Sequence, residues 1–260
     1  MKIKFYQVDA FAQKVFEGNP AAVVPLASWI DDALMQQIAM ENNLSETAFF
    51  VARDDEYEIR WFTPTCEVDL CGHATLASAY VLFNFLDYEK DTIVFHSKSG
   101  PLYVKKDGDL IKMDFPSEPA VLCETPEAII KAFGKKPVEV LKSVDYIVVF
   151  DEDITRLNPN LDALKTLDLR GVCITSKDET YDFVSRFFAP NYGIDEDSVT
   201  GSSFTQLIPY WSGKLNKKSF TCKQVSARGG IVKGELKNDR VDVCGYGICC
   251  ICAEINTEGF

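Results

Sequence analysis

The chain has 260 residues, 47% of them apolar and 25% charged, an ordinary globular composition with ample material for a core. Its 39 acidic against 27 basic residues give a formal net charge of −12. That balance excludes non-specific nucleic-acid binding, which needs lysine and arginine to replace phosphate counterions. Neither a secretory signal nor a membrane span is expected, because the opening MKIKFYQVDAF has no apolar h-region and no long uncharged apolar run follows. The nine cysteines are odd in number and lack a signal segment, which opposes a disulfide framework and favours a reducing cytoplasm. Two histidines, His73 and His96, and no matched pair of zinc-spaced cysteines argue against a metal site.

In chain order, a helix is expected from Ser28 as N-cap to the stop at Asn42-Asn43, with Ile30, Leu34 and Ile38 on one face. The strand TAFFVA starts just after Glu46. A second helix opens at Gly72 and is apolar on nearly every side (ATLASAYVLFNFL), so it should be buried. PLYVKKDGDLIKMDF reads as a hairpin turning at Asp107-Gly108. FPSEPA supplies two prolines and marks a junction near residues 115–125. Pro209 should end or kink a later helix. GIVKGELKNDRVDV turns at Asn238-Asp239, and GICCICAEI reads as a buried strand in which Cys249, Cys250 and Cys252 act as small core residues.

The chain repeats itself. Arg60-Trp61-Phe62-Thr63-Pro64 matches Arg186-Phe187-Phe188-Ala189-Pro190, and each is followed by an acidic stretch and then a glycine, Gly72 or Gly201. The register holds, because Gly72 to Ser97 and Gly201 to Ser226 are both steps of 25 residues. Recurrence of these features in one order, with that 25-residue step preserved, marks a duplication. Each half is short strands around one apolar helix, an α+β architecture. The division is placed at 1–118 and 119–260, with the final strand free to pair back onto the first half.

Gly72 and Gly201 each open a helix, where unpaired N–H groups and the helix dipole favour an anion such as a carboxylate. The alternative is that these glycines only permit tight helix–strand packing. The halves differ elsewhere: Cys71-Gly72-His73 faces Thr200-Gly201-Ser202, and the repeat puts Val172 opposite Glu46. Asp197 has Val68 or Asp69 as its counterpart. Taken singly, Glu46 reads as a solvated or capping residue, His73 and Ser202 as caps, and Asp197 as one charge of an acidic loop.

GNPAAVV (18–24), NLSETAFF (43–50), FTPTCEVDLCGHATLA (62–77), DSVTGSS (197–203) and QVSARGG (224–230) resemble, in order and over nearly the whole chain, the motifs of the PhzF family. That family is named for phenazine biosynthesis and is related in fold to diaminopimelate epimerase. The resemblance implies a duplicated diaminopimelate-epimerase-like fold, each half a β-barrel-like sheet around a central helix, with an active site in the cleft between halves. It also implies a homodimer with no metal and no organic cofactor.

Carried over by position, Glu46 is the acid/base that moves a proton at carbon of a small carboxylic or amino acid. His73 and Asp197 hold or polarise that substrate, and Gly72, Gly201 and Ser202 offer donors to its carboxylate. Ser198 and Ser203 replace the proline and alanine usual in the family's DPVTGSA motif. Two other readings stand beside this one: a one-thiol epimerase using Cys71, whose counterpart is Thr200, and a non-catalytic protein that binds small carboxylates.

Overall fold

The protein is described from a computed structural model over residues 2–258. It divides into two compact units, Met1–Asp114 with Cys244–Phe260, and Phe115–Val243. The first division thus falls at 114/115 instead of 118/119. Residues from Cys244 onward group with the first unit because β18 (Gly247–Asn256) pairs antiparallel with β1 (Lys2–Ala10).

In the first unit β1 also pairs antiparallel with β2 (Asn19–Leu26). The chain crosses through α1 (Asp32–Asn42) to β3 (Glu46–Arg53), which runs parallel to β2. β3 turns into antiparallel β4 (Glu56–Phe62), against which the two-residue β5 (Glu67–Val68) folds back. A second crossover, α2 (Gly72–Phe85), leads to β6 (Thr92–Ser97), parallel to β4. β7 (Gly100–Asp107) and β8 (Leu110–Pro116) complete the run as antiparallel neighbours.

The second unit repeats this order of pairings. β9 (Val121–Leu122) is antiparallel to β10 (Glu139–Lys142), with α3 (Glu127–Phe133) between them. β10 is antiparallel to β11 (Tyr146–Val149), and β11 is parallel to β12 (Val172–Ser176) after a crossover containing α4 (Leu161–Leu164). β12 is antiparallel to β13 (Val184–Ala189), against which β14 (Ile194–Asp197) folds back. The crossover α5 (Phe204–Leu215) then leads to β15 (Ser219–Gln224), parallel to β13, with β16 (Gly230–Lys237) antiparallel beyond it and β17 (Arg240–Gly245) next in chain. The sequence of parallel and antiparallel steps is the same in both units, so the duplication seen in the motifs is a duplication of topology.

Two cores explain why these elements stay together. α1 lays Met35, Ile38 and Ala39 on Phe5, Val24, Phe49 and Phe62, and each large side chain so buried contributes about 2 kcal/mol. α2 is apolar all round because strands approach it from several sides; β1, β2, β3, β7 and β18 all touch it. Its buried hydroxyls are satisfied within the helix, Thr75 Oγ1 donating to the Cys71 carbonyl and Ser78 Oγ to that of Ala74. In the second unit Ile129, Val148, Ile174 and Phe188 anchor a corresponding cluster.

Several local expectations are corrected. α1 begins at Asp32, not after Ser28, because the Asp31 carboxylate accepts from the Ala33 N–H and supplies the cap; Ile30 therefore precedes the helix. Pro209 lies inside α5 without ending it. The carbonyl it orphans, that of Thr205 four residues back, instead accepts the Glu118 N–H at 3.0 Å. The GICCICAEI strand is not buried: Ile251 is 45% exposed and Cys252 is exposed. Backbone pairing with β1 makes it a strand without its side chains entering a core.

Candidate active site

The Arg–aromatic–aromatic motif proves to be a structural brace in both units. Arg60 grips Glu67 with Nε and Nη2 at 2.7 and 3.0 Å, and its guanidinium lies 5.2 Å from the Phe62 ring centre. Arg186 grips Glu196 at the same two distances and lies 5.1 Å from Phe188. Each brace ties the short returning strand, β5 or β14, to the long one before it. These short strands deliver the segments that carry Cys71-Gly72-His73 and Asp197–Ser202. Trp61 pairs with Val68 and Phe187 with Asp197, so Val68, not Asp69, is the counterpart of Asp197.

In the first unit Glu46 is the opening residue of β3, facing Ala21 of β2, and Val172 opens β12 in the same way. His73 is the second residue of α2 and is 8% exposed. Its Nε2 lies 3.3 Å from Glu46 Oε2 and 3.4 Å from Ser45 Oγ. Its Nδ1 lies 3.5 Å from both Asn19 Nδ2 and Cys71 Sγ. An amide N–H and a thiol S–H can both donate to Nδ1, an arrangement that suits the tautomer with its proton on Nε2. Glu46 Oε2 is itself buried and makes no hydrogen bond. The contact with His73 is close enough for attraction but not aligned as a hydrogen bond.

Cys71 precedes α2 in an extended conformation and gives no side-chain cap, so the first N–H groups of the helix, at Gly72 and His73, have no partner within it. One ligand atom each from Glu46, Cys71 and His73 lies within 4.8 Å of the others.

In the second unit Asp197 ends β14, and its carboxylate accepts a hydrogen bond from Thr200 Oγ1. The Gln224 side chain locks this loop. Its Nε2 donates to the Asp197 carbonyl at 2.8 Å and its Oε1 accepts the Thr200 N–H at 2.9 Å. Gly201 opens a three-residue 3-10 turn, Gly201–Ser203, that runs into α5. The expectation that it opens the helix itself is corrected to that extent. Ser202 Oγ accepts a hydrogen bond from Arg170 Nη2 at 3.1 Å. Thr200, at the position matching Cys71, spends its hydroxyl on Asp197.

Sequence reasoning did not single out Asn19, Ser45, Arg170, Asp145 or Gln206. Asn19 and Ser45 were visible inside the GNPAAVV and NLSETAFF motifs, whereas the other three carry no local signal.

Residues 8–251 match the family model described as "Phenazine biosynthesis-like protein". The chain belongs to the PhzF family. It is 49% identical over 247 residues to an uncharacterized isomerase of Pseudomonas aeruginosa, covering 94% of this chain and 95% of that one. A PhzF-family crystal structure from Enterococcus faecalis matches with a TM-score of 0.97 at 44% identity, covering 98% of this chain and all of the other. A hydroxyproline epimerase from Agrobacterium vitis matches at a TM-score of 0.63 and 9% identity over 98% of this chain and 91% of its own, a likeness of fold alone. PhzF membership and the isomerase relative make the chain an isomerase, and the structural likenesses show the duplicated epimerase-type fold.

Proposed function

We propose that this PhzF-family protein is a cofactor-independent isomerase that moves a proton at carbon on a small carboxylic or amino acid, with Glu46 as the acid/base. The observation that carries this is the Glu46 Oε2 atom, buried, without a hydrogen bond, and beside His73. A buried carboxylate oxygen left without a donor costs about 1–3 kcal/mol, a cost with no structural return here and a direct use if that oxygen takes and returns a proton. His73, with its proton on Nε2, polarises the substrate as charge develops. Asp197, Gly72, Gly201 and Ser202 bind it, Ser202 and the glycine N–H groups as donors to a carboxylate. We also place the protein in a reducing cytoplasm, because its nine cysteines are odd in number and none forms a disulfide among the described residues.

The test is a screen of carboxylic and amino acids for deuterium incorporation from D₂O, read by proton NMR. Exchange at one carbon of one compound supports the proposal; compounds that bind without exchange favour a binding protein instead.

A second reading has one observation in its favour, Cys71 Sγ 3.5 Å from His73 Nδ1, a placement in which imidazole could activate a thiol. The absence of a thiol at Thr200 works against a two-thiol racemase. C71S decides: turnover within about twofold of wild type excludes the thiol, and loss of about 10²-fold or more establishes it.

A further inference from the structure

Ser202 does not stand alone in its turn. Arg170, just before β12, reaches it with Nη2 at 3.1 Å. The same guanidinium makes a two-pronged pair with Asp145, Nε to Oδ1 at 2.9 Å and Nη2 to Oδ2 at 2.6 Å. Asp145 is fully buried. It is held on two further sides by Gln206 of α5, whose Nε2 donates to Oδ2 at 2.7 Å and whose Oε1 accepts the Asp145 N–H at 3.2 Å. The guanidinium also lies 5.4 Å from the centre of the Phe187 ring. That ring fits only because residue 171 is glycine, since a Cβ there would sit 2.5 Å from Phe187 Cζ. Burial disfavours the charge on Arg170, but the hydrogen bond to Asp145, and the charges of Asp145, Glu118 and Asp197, hold its pKa above the usual value.

This is a rigid lever with one free end. A bidentate pair fixes both position and plane of a guanidinium, and every anchor of this one is buried or packed. A side-chain hydroxyl has one proton and two lone pairs. When Arg170 occupies a lone pair of Ser202 Oγ, the proton must point away from Arg170.

We propose that Arg170, braced by Asp145 and Gln206, is the positioning residue that fixes the rotamer of Ser202 and turns its hydroxyl into a donor for a ligand carboxylate. The proposal rests on Ser202 binding substrate, as proposed above. Arg170 acts through Ser202, and its side chain remains 36% exposed, so its charge also favours an anion at the hydroxyl.

The experiment compares wild type with R170M/D145N, which removes both charges together so that Asp145 is not left as an uncompensated buried ion. R170K, which keeps the charge but not the fork, is the conservative control. Two readouts are taken on folded protein: the Ser202 χ1 angle in ligand-free crystals, and NMR titration with benzoate and with its neutral analogue benzamide.

The expected result is one Ser202 rotamer in wild type and a rotated or divided one in R170M/D145N. Benzoate binding should weaken by about tenfold or more while benzamide changes little, with R170K intermediate. In an S202A background the double substitution should have little further effect on benzoate. A folded R170M/D145N protein that keeps the wild-type rotamer overturns the proposal, as does one whose rotamer changes while its preference for benzoate does not. A wild-type protein that binds neither probe counts against the proposed function; the rotamer result then decides the role of Arg170 by itself.

Discussion

The two arginine braces occupy equivalent positions in a duplicated topology, yet they should not be equally costly to remove. Arg186 has a side chain only 9% exposed, opposite a Glu196 that is 25% exposed. Besides its two bonds to Glu196 it donates from Nη1 to the carbonyls of Ile154 and Leu157, both buried residues. R186M would strand a largely desolvated carboxylate and the Leu157 carbonyl, while the Ile154 carbonyl keeps the Leu157 N–H at 3.2 Å; the cost should be about 3–5 kcal/mol. Arg60 is 21% exposed, and its second carboxylate partner, Asp32, is 74% exposed and can turn to water. Its main partner, Glu67, also receives Lys98 Nζ at 2.6 Å, so R60M leaves that carboxylate still paired. The cost of R60M should be about 1–2 kcal/mol. Urea unfolding followed by tryptophan fluorescence measures both, with Trp29 and Trp61 reporting the first unit and Trp211 the second. R186M/E196Q should recover part of the loss, because it removes the stranded charge. Equal costs for R60M and R186M, or a larger one for R60M, would refute the argument from burial and alternative partners.

Three further outcomes follow from local geometry. G18A should destabilise by about 3 kcal/mol or more, since residue 18 has φ of +70° and a Cβ there would lie 2.2 Å from the Ala10 carbonyl oxygen; thermal unfolding reads this, and a wild-type midpoint would contradict it. The hydrogen bond from Arg60, opposed by burial and aided by Lys98, holds the Glu67 pKa below its ordinary 4.5. Because the folded value is the lower one, this stabilisation is present above about pH 4.5 and is lost as pH falls through the folded pKa. The urea midpoint of E67Q should therefore fall less steeply than that of wild type below that pH, and parallel curves would contradict the assignment. C71S should leave turnover within about twofold of wild type, as expected for a residue outside the proton transfer.

Much of the fold was legible because its signals are local and recur. Arg60 and Arg186, Gly72 and Gly201, and the two hairpin turns recur in the same order, with the 25-residue step from each glycine to Ser97 or Ser226 kept intact, and a tandem copy must fold as its partner does. Glu46 and His73 became legible as a pair only through family likeness, since a parallel β2–β3 step and a crossover helix bring them together from 27 positions apart in sequence. Arg170 was invisible for a related reason. Asp145, Ser202 and Gln206 lie far from it along the chain, and no short motif marks a lysine- or arginine-mediated brace. The helix start was misplaced because Ser28 and Asp31 are both good caps, and only the Ala33 N–H selects between them. The last strand misled because an apolar run records strand character and burial in the same letters, while only the pairing with β1 is realised at Ile251 and Cys252.

Glu46 remains the residue on which the proposed chemistry depends. The most direct test is to take the compound that exchanges fastest in D₂O and compare wild type with E46Q, a change that keeps size and removes the proton acceptor. The glutamine variant should bind the compound with similar affinity and lose deuterium incorporation by about 10²-fold or more. Incorporation at the wild-type rate in folded E46Q would show that another group moves the proton.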